Sequence, residues 1–218
     1  MLPWPFARWR KDAPAQESFS ALFIPPEDDD CIALDTETTG LDPKQAEIIA
    51  IAAIRIRGSR LLTSEALQLL VKPERPGDPG AILIHGLRPA DLHDALDIGT
   101  ALRHLAAFIG SRPLIGYYLD FDVAVINRAL WRLAGITLPN RRIEVAHLYH
   151  DRALRRQPTL RLHGEVDLRL ETIRETLSLP AFPRHAPILD AAMAGLIYLK
   201  LRPESHTAGS PTAGNSTN

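Results

Sequence analysis

The chain has one cysteine, Cys31, in 218 residues. That excludes an intrachain disulfide and any cysteine-based zinc site, and its place in the run Cys31-Ile32-Ala33-Leu34 suits a small buried residue. No apolar run approaches membrane-spanning length. Arg8, Arg10 and Lys11 are followed neither by a long apolar segment nor by a small-residue cleavage site, so neither a membrane protein nor a secreted one is expected. A reducing cytoplasm is the default location. Net charge is also lacking: 25 Lys and Arg against 26 Asp and Glu leave a formal −1. There is no overall pull toward polyanions, and any nucleic-acid contact has to come from a local basic patch. Lysine is scarce beside arginine, which suits bidentate phosphate contacts and equally reflects genomic base composition.

What the chain does have is 45% hydrophobic residues, enough to bury one sizeable core. Residues 1–30 read as an N-terminal extension. Trp4, Phe6 and Trp9 alternate there with basic residues, and Phe19, Leu22, Phe23 and Ile24 precede Pro25-Pro26 and the acidic run Glu27 to Asp30. Such an arm either packs its aromatics on the domain or docks a partner. Residues 204–218, rich in Ser, Thr, Gly, Pro and Asn, read as a disordered tail. The domain between them is taken as 31–203. Cys31 to Leu34 is a buried strand reaching the surface. The spacing predicts a strand over 46–57, a turn at Gly58-Ser59, its antiparallel neighbour over 61–72 and a loop from Pro73 to Gly80. Asp97 caps a helix whose stripe is Ile98, Leu102, Leu105 and Ile109. Residues 113–118 form a short strand, followed by a helix with Val123, Ile126, Leu130 and Leu133 inward and Gly135 as its stop. Further helical patterns cover 168–178 and 187–201. Meandering strands followed by alternating helices imply an α/β architecture, a mixed β-sheet flanked by α-helices.

Chemistry enters with DTETTGL (35–41). Side chains at i and i+2 of a strand share a face, so Asp35 and Glu37 emerge together where the strand meets solvent. Two adjacent carboxylates repel unless a cation separates them. A solvated pair is the plain alternative. Asp122 lies just beyond the 113–118 strand in GYYLDFD (116–122), where Asp120 or Asp122 has the ordinary option of capping a helix. His185 and Asp190, in HAPILD (185–190), open the last helix. A surface histidine and an aspartate favoured by the helix dipole would account for them singly.

Taken together, DTETTGL, G-x-x-x-x-F-D and H-x-x-x-x-D in this order resemble the DEDD superfamily of 3′→5′ exonucleases over roughly 30–202. The closest likeness is to the proofreading epsilon branch of bacterial DNA polymerase III and its stand-alone relatives. The resemblance implies a ribonuclease-H-like fold. It implies metal binding by Asp35, Glu37, Asp122 and Asp190, with His185 as the general base of the DEDDh subgroup. Ala186 stands where the sister subgroup has tyrosine, which excludes that variant. It further implies a wedge role for Leu41, an apolar position beside the third carboxylate for Phe121, and backbone groups near Thr38 and Thr39 that hold the 3′ terminus. Ile84-His85-Gly86-Leu87 is similar to the segment whose histidine approaches the terminal nucleotide.

The chemistry the resemblance implies is coherent. Hard oxygen ligands suit two Mg²⁺ or Mn²⁺ ions, which about 4 Å apart clamp the attacking and leaving oxygens of an in-line displacement. A histidine titrating near neutrality suits the base. The chain departs from the family at Tyr117-Tyr118, where relatives often carry His-Asn, and at Glu144-Val145, where many have Asp-Thr. Local packing and base contacts are expected to differ there. Arg152, Arg155, Arg156, Arg161 and Arg169 form either a solvated helix face or a phosphate track. The expectation is a metal-dependent 3′→5′ exonuclease acting on single-stranded or frayed 3′ ends of DNA. The alternatives are an RNA-processing relative and a nuclease-fold scaffold subunit. A scaffold has no need of four intact carboxylates and a histidine.

Overall fold

The structure, a computed structural model, describes residues 19–75, 77, 80, 85–157, 165–183 and 186–202. Five strands form one sheet: β1 (Cys31–Thr38), β2 (Ile48–Arg57), β3 (Arg60–Leu70), β4 (Leu114–Gly116) and β5 (Arg142–Glu144), in the spatial order β3-β2-β1-β4-β5. β1 pairs antiparallel with β2 and parallel with β4. β3 extends the antiparallel side and β5 the parallel side. The hairpin at Gly58-Ser59 forms as expected, with Gly58 at φ 52. The second hairpin strand stops at Leu70, and the 113–118 strand shortens to three residues.

Five α-helices flank the sheet among the described residues, beside two short 3-10 turns at Phe19–Phe23 and Pro89–Leu92: α1 (Ile98–Ile109), α2 (Leu119–Ala134), α3 (Val145–Arg156), α4 (Leu170–Thr176) and α5 (Pro187–Leu201). Asp97 caps α1, accepting from the Thr100 N–H at 2.9 Å. Gly135 ends α2 at φ 66, its N–H donating to Trp131 O. The 168–178 pattern contracts to α4, whereas α5 keeps the expected bounds. One inward assignment is corrected. Leu133 is 46% exposed, because it lies in the last turn of α2 with its tip leaning on Gly99 of α1.

Both sheet faces are covered, and β1 supplies the reason by alternation. Ile32 and Leu34 join Leu102, Leu105, Val123 and Ile126 under α1 and α2. Ala33 joins Ile115, Met193, Ala194 and Ile197 under α5. α5 approaches closely through Gly195, where a Cβ would stand 2.5 Å from Leu61 Cδ2 and 3.4 Å from Ala33 Cβ. A Cβ there would require the Leu61 side chain to move aside and would sit in tight contact with Ala33 and Ile56.

Of the N-terminal extension, Trp4, Phe6 and Trp9 lie outside the described residues, as does the tail 204–218. Residues 19–30 pack on the domain. Leu22 is fully buried, Phe19 lies against the α1–α2 core, and Ser111 Oγ donates to Ile24 O at 2.6 Å. Phe23 and Ile24 remain exposed. No helix among the described residues is long and apolar enough to cross a membrane.

Candidate active site

The alternation that builds the core also sorts the carboxylates. Past Leu34, Asp35 and Glu37 continue the α5-facing row of Ala33, while Thr36 and Thr38 continue the α2-facing row. Each helix contributes one acidic residue from its first turn. Asp190, from α5, joins Asp35 and Glu37, and one carboxylate oxygen of each lies within 4.8 Å of the other two. Asp122, from α2, meets Thr36: its Oδ1 accepts from the Thr36 backbone N–H at 3.0 Å and from Thr36 Oγ1 at 2.5 Å. All four carboxylates line one cavity of about 850 Å³.

The four groups act on one another electrostatically. Asp35 is pushed well above the usual carboxylate range by burial, then by the charges of Asp122, Asp190 and Glu37. Glu37 is pushed up to about 7 by burial and by Asp190 and Asp122. Burial also raises Asp122 to about 7, against the opposing pull of the two Thr36 donors and with further repulsion from Glu144. Crowded, half-buried carboxylates hold protons unless a cation takes their place. The donors are hard oxygens on two helices and one strand, which fits a divalent ion of the Mg²⁺ or Mn²⁺ type.

The other residues singled out by sequence are placed as follows. Thr38 lines the cavity, its Oγ1 donating to Gly40 O at 2.7 Å. Leu41 stands at the same cavity, 82% exposed. Phe121 lines it too, half-buried against the α1–α2 core. His85 is buried, its Nδ1 accepting from the Leu87 N–H at 3.0 Å. It lines a neighbouring cavity of about 320 Å³ with Thr39, Ile49 and Leu87. His185, Ile84 and Arg161 lie outside the described residues. Arg152 donates to Lys200 O, and Arg169 forks onto Asp167. Arg155 and Arg156 are exposed in the last turn of α3.

Sequence reasoning missed what Glu144 does. Its Oε2 accepts from the Leu119 N–H at 2.9 Å and its Oε1 from the Ala146 N–H at 3.1 Å, so one carboxylate caps both α2 and α3. Neither Asp120 nor Asp122 is the cap; Asp120 pairs with Arg142. Two further cavity residues, Tyr118 and His147, carried no signal beyond the departure at Tyr117-Tyr118.

Residues 32–198 match the exonuclease family. The chain belongs to that family. It is similar to a DNA polymerase III subunit epsilon-like protein of Rhodobacter capsulatus, 28% identical over 187 residues, which are 84% of this chain and 25% of that protein. It is also similar to a PolC-type DNA polymerase III of Thermotoga maritima, 25% identical over 169 residues, or 78% of this chain and 12% of that one. This exonuclease domain thus spans about a quarter or less of the length of these curated relatives. In fold it is similar to E. coli exonuclease I, solved with zinc bound and in complex with single-stranded DNA. The TM-score is 0.63 at 22% identity, covering 80% of this chain and 40% of that one. The mixed sheet with helices on both faces is the ribonuclease-H-like arrangement of such exonucleases.

Proposed function

We propose that the chain is a metal-dependent 3′→5′ exonuclease that removes nucleoside 5′-monophosphates from single-stranded or frayed 3′ ends of DNA. One observation carries the reading. Asp35, Glu37 and Asp190 converge within 4.8 Å in a cavity shared with Asp122 and edged by exposed Leu41. The DNA-polymerase relatives and the exonuclease I complex with single-stranded DNA support DNA as the substrate.

In this reading Asp35, Glu37, Asp122 and Asp190 hold two Mg²⁺ or Mn²⁺ ions, which when bound supply Lewis acidity at the scissile phosphate. Thr36 fixes Asp122 by occupying its Oδ1, leaving Oδ2 for the ion. His185 accepts the proton of the attacking water at an imidazole nitrogen. Water adds to the terminal phosphorus, the bond to the preceding nucleotide's 3′-oxygen breaks, and that oxygen takes a proton from solvent to leave a new 3′-hydroxyl. Leu41 wedges the terminal pair apart, while Thr38 and Phe121 shape the pocket for the end; His85, which faces the neighbouring cavity, stands outside that pocket.

The test is digestion of labelled DNA and RNA oligonucleotides, blocked at either end, with Mg²⁺, Mn²⁺ or EDTA. The expected result is ladder shortening from an unblocked 3′ end of DNA, abolished by EDTA. Efficient cutting of circular or 3′-blocked strands would overturn the exonuclease assignment, and preference for RNA would overturn the substrate.

A further inference from the structure

Tyr118 combines a strained backbone with a ring that gains little from burial. Its backbone is left-handed, at φ 59 and ψ 32, a region that crowds any Cβ and that Gly and Asn enter far more readily than an aromatic residue. Its ring is 69% exposed. The sharp turn from β4 into α2 accounts for the backbone conformation, since Leu119 must meet the Glu144 cap. It does not account for the ring, because Asn or Gly would make the same turn with less strain. A strained residue that persists at the edge of a site invites a functional explanation.

The surroundings supply one. Tyr118 lines the carboxylate cavity together with Leu41. Its neighbour Tyr117 is anchored, the hydroxyl donating to Leu168 O at 2.9 Å. The two rings meet edge to face, centroids 4.5 Å apart at 63°. The anchored ring thus props the exposed one and leaves it open to the cavity. A flat, propped, solvent-facing aromatic beside a phosphodiester site is what an unpaired base needs for stacking.

We infer that Tyr118 is a base-stacking platform that holds one of the two 3′-terminal nucleotides by its base; the inference rests on the nuclease reading. Every base has a π-face, so the platform selects unstacked strands over paired ones without choosing sequence. The ring contributes to substrate binding and takes no part in proton transfer.

The experiment is a cycle between the ring and the base. Wild type, Tyr118→Phe and Tyr118→Asn are compared on a short 5′-labelled oligothymidylate, intact or abasic at the terminal or the penultimate position. KM and kcat are read with Mg²⁺, and Kd by fluorescence anisotropy with Ca²⁺. The expected result is a KM and Kd raised at least about fivefold by Tyr118→Asn on the intact strand, and within about twofold of wild type for Tyr118→Phe. At one of the two abasic positions the Asn penalty should vanish. The melting temperature of Tyr118→Asn should equal or exceed that of wild type, since the strain is relieved. Equal behaviour of Phe and Asn, or an Asn penalty unchanged at both abasic positions, would overturn the inference. So would a lower melting temperature with no change in Kd, the mark of a ring that merely packs on Tyr117. If wild type cleaves nothing, the nuclease reading fails, while the anisotropy cycle still decides the stacking.

Discussion

Acidic residues crowd both ends of β1, and the two ends treat them in opposite ways. At its start, Asp28 receives two hydrogen bonds from Arg112, at 2.8 and 2.6 Å, and Asp30 pairs with Arg57 at 3.0 Å. The Arg112 guanidinium holds the Asp28 carboxyl down at about 2. At its finish, Asp35, Glu37 and Asp122 are pushed up, first by burial and then by neighbouring carboxylates, among them Asp190 for the first two and Glu144 for Asp122. One end is a finished set of ion pairs that fastens the N-terminal segment to the sheet. The other is a crowded set of carboxylates, hard oxygen donors that suit a divalent cation. Carboxyls pushed upward together inside a cleft mark a functional-site candidate.

The largest expected effect comes from neutralising the crowded carboxylates at the finish of β1. Asp35→Asn, Glu37→Gln, Asp122→Asn or Asp190→Asn should each reduce cleavage by about 10³-fold or more, with the fold intact by circular dichroism. Near-normal turnover in any of them would separate that carboxylate from the site. His185→Ala should lower kcat by roughly 10²–10⁴-fold. Because His185 is proposed as base and not ligand, Mn²⁺ should still raise the melting temperature of that variant. Loss of the Mn²⁺ effect would move His185 into the ligand set.

The paired end should respond in reverse. Arg112→Ala removes both hydrogen bonds to the partly exposed Asp28 carboxylate and should destabilise the protein by about 1 kcal/mol, read in urea, with kcat unchanged. A loss of activity without loss of stability would erase the contrast between the two ends.

The smallest effect is a stability gain. Asp35, Glu37 and Asp122 carry folded pKa values above their ordinary 3.8 and 4.5. They are neutral in both folded and unfolded chains at low pH. As pH rises from about 4 to about 7 the unfolded chain sheds those protons first, so metal-free stability falls. Asp28 has the opposite sign: its contribution is present above its ordinary 3.8 and is lost as pH falls toward about 2. Asp122→Asn and Glu37→Gln should therefore stabilise the metal-free protein by about 1–2 kcal/mol at pH 8 and by nothing at pH 4. Melting curves in EDTA at the two pH values check this, and added Mn²⁺ should reverse the order. Equal stabilisation at both pH values would remove charge repulsion as the cause.

The sequence by itself determined the sheet-and-helix architecture, the bounds of α5, the caps at Asp97 and Gly135, and the residue types of the site. Those are local signals: apolar period, capping chemistry and short motifs. It also placed Asp35 and Glu37 on one face, because a strand's alternation is a property of the backbone alone. Only the tertiary structure decided that Asp190 shares that face while Asp122 approaches through Thr36 on the other, since that depends on which helix covers which side. The same holds for Leu133, whose stripe position was correct and whose exposure follows from where α2 ends. Glu144 looked like a packing change at a strand end, yet it caps two helices whose starts are brought together only by the parallel pairing of β4 and β5. Long-range contacts of this kind leave no periodic trace in the chain, because partners far apart in sequence meet through the topology of the sheet.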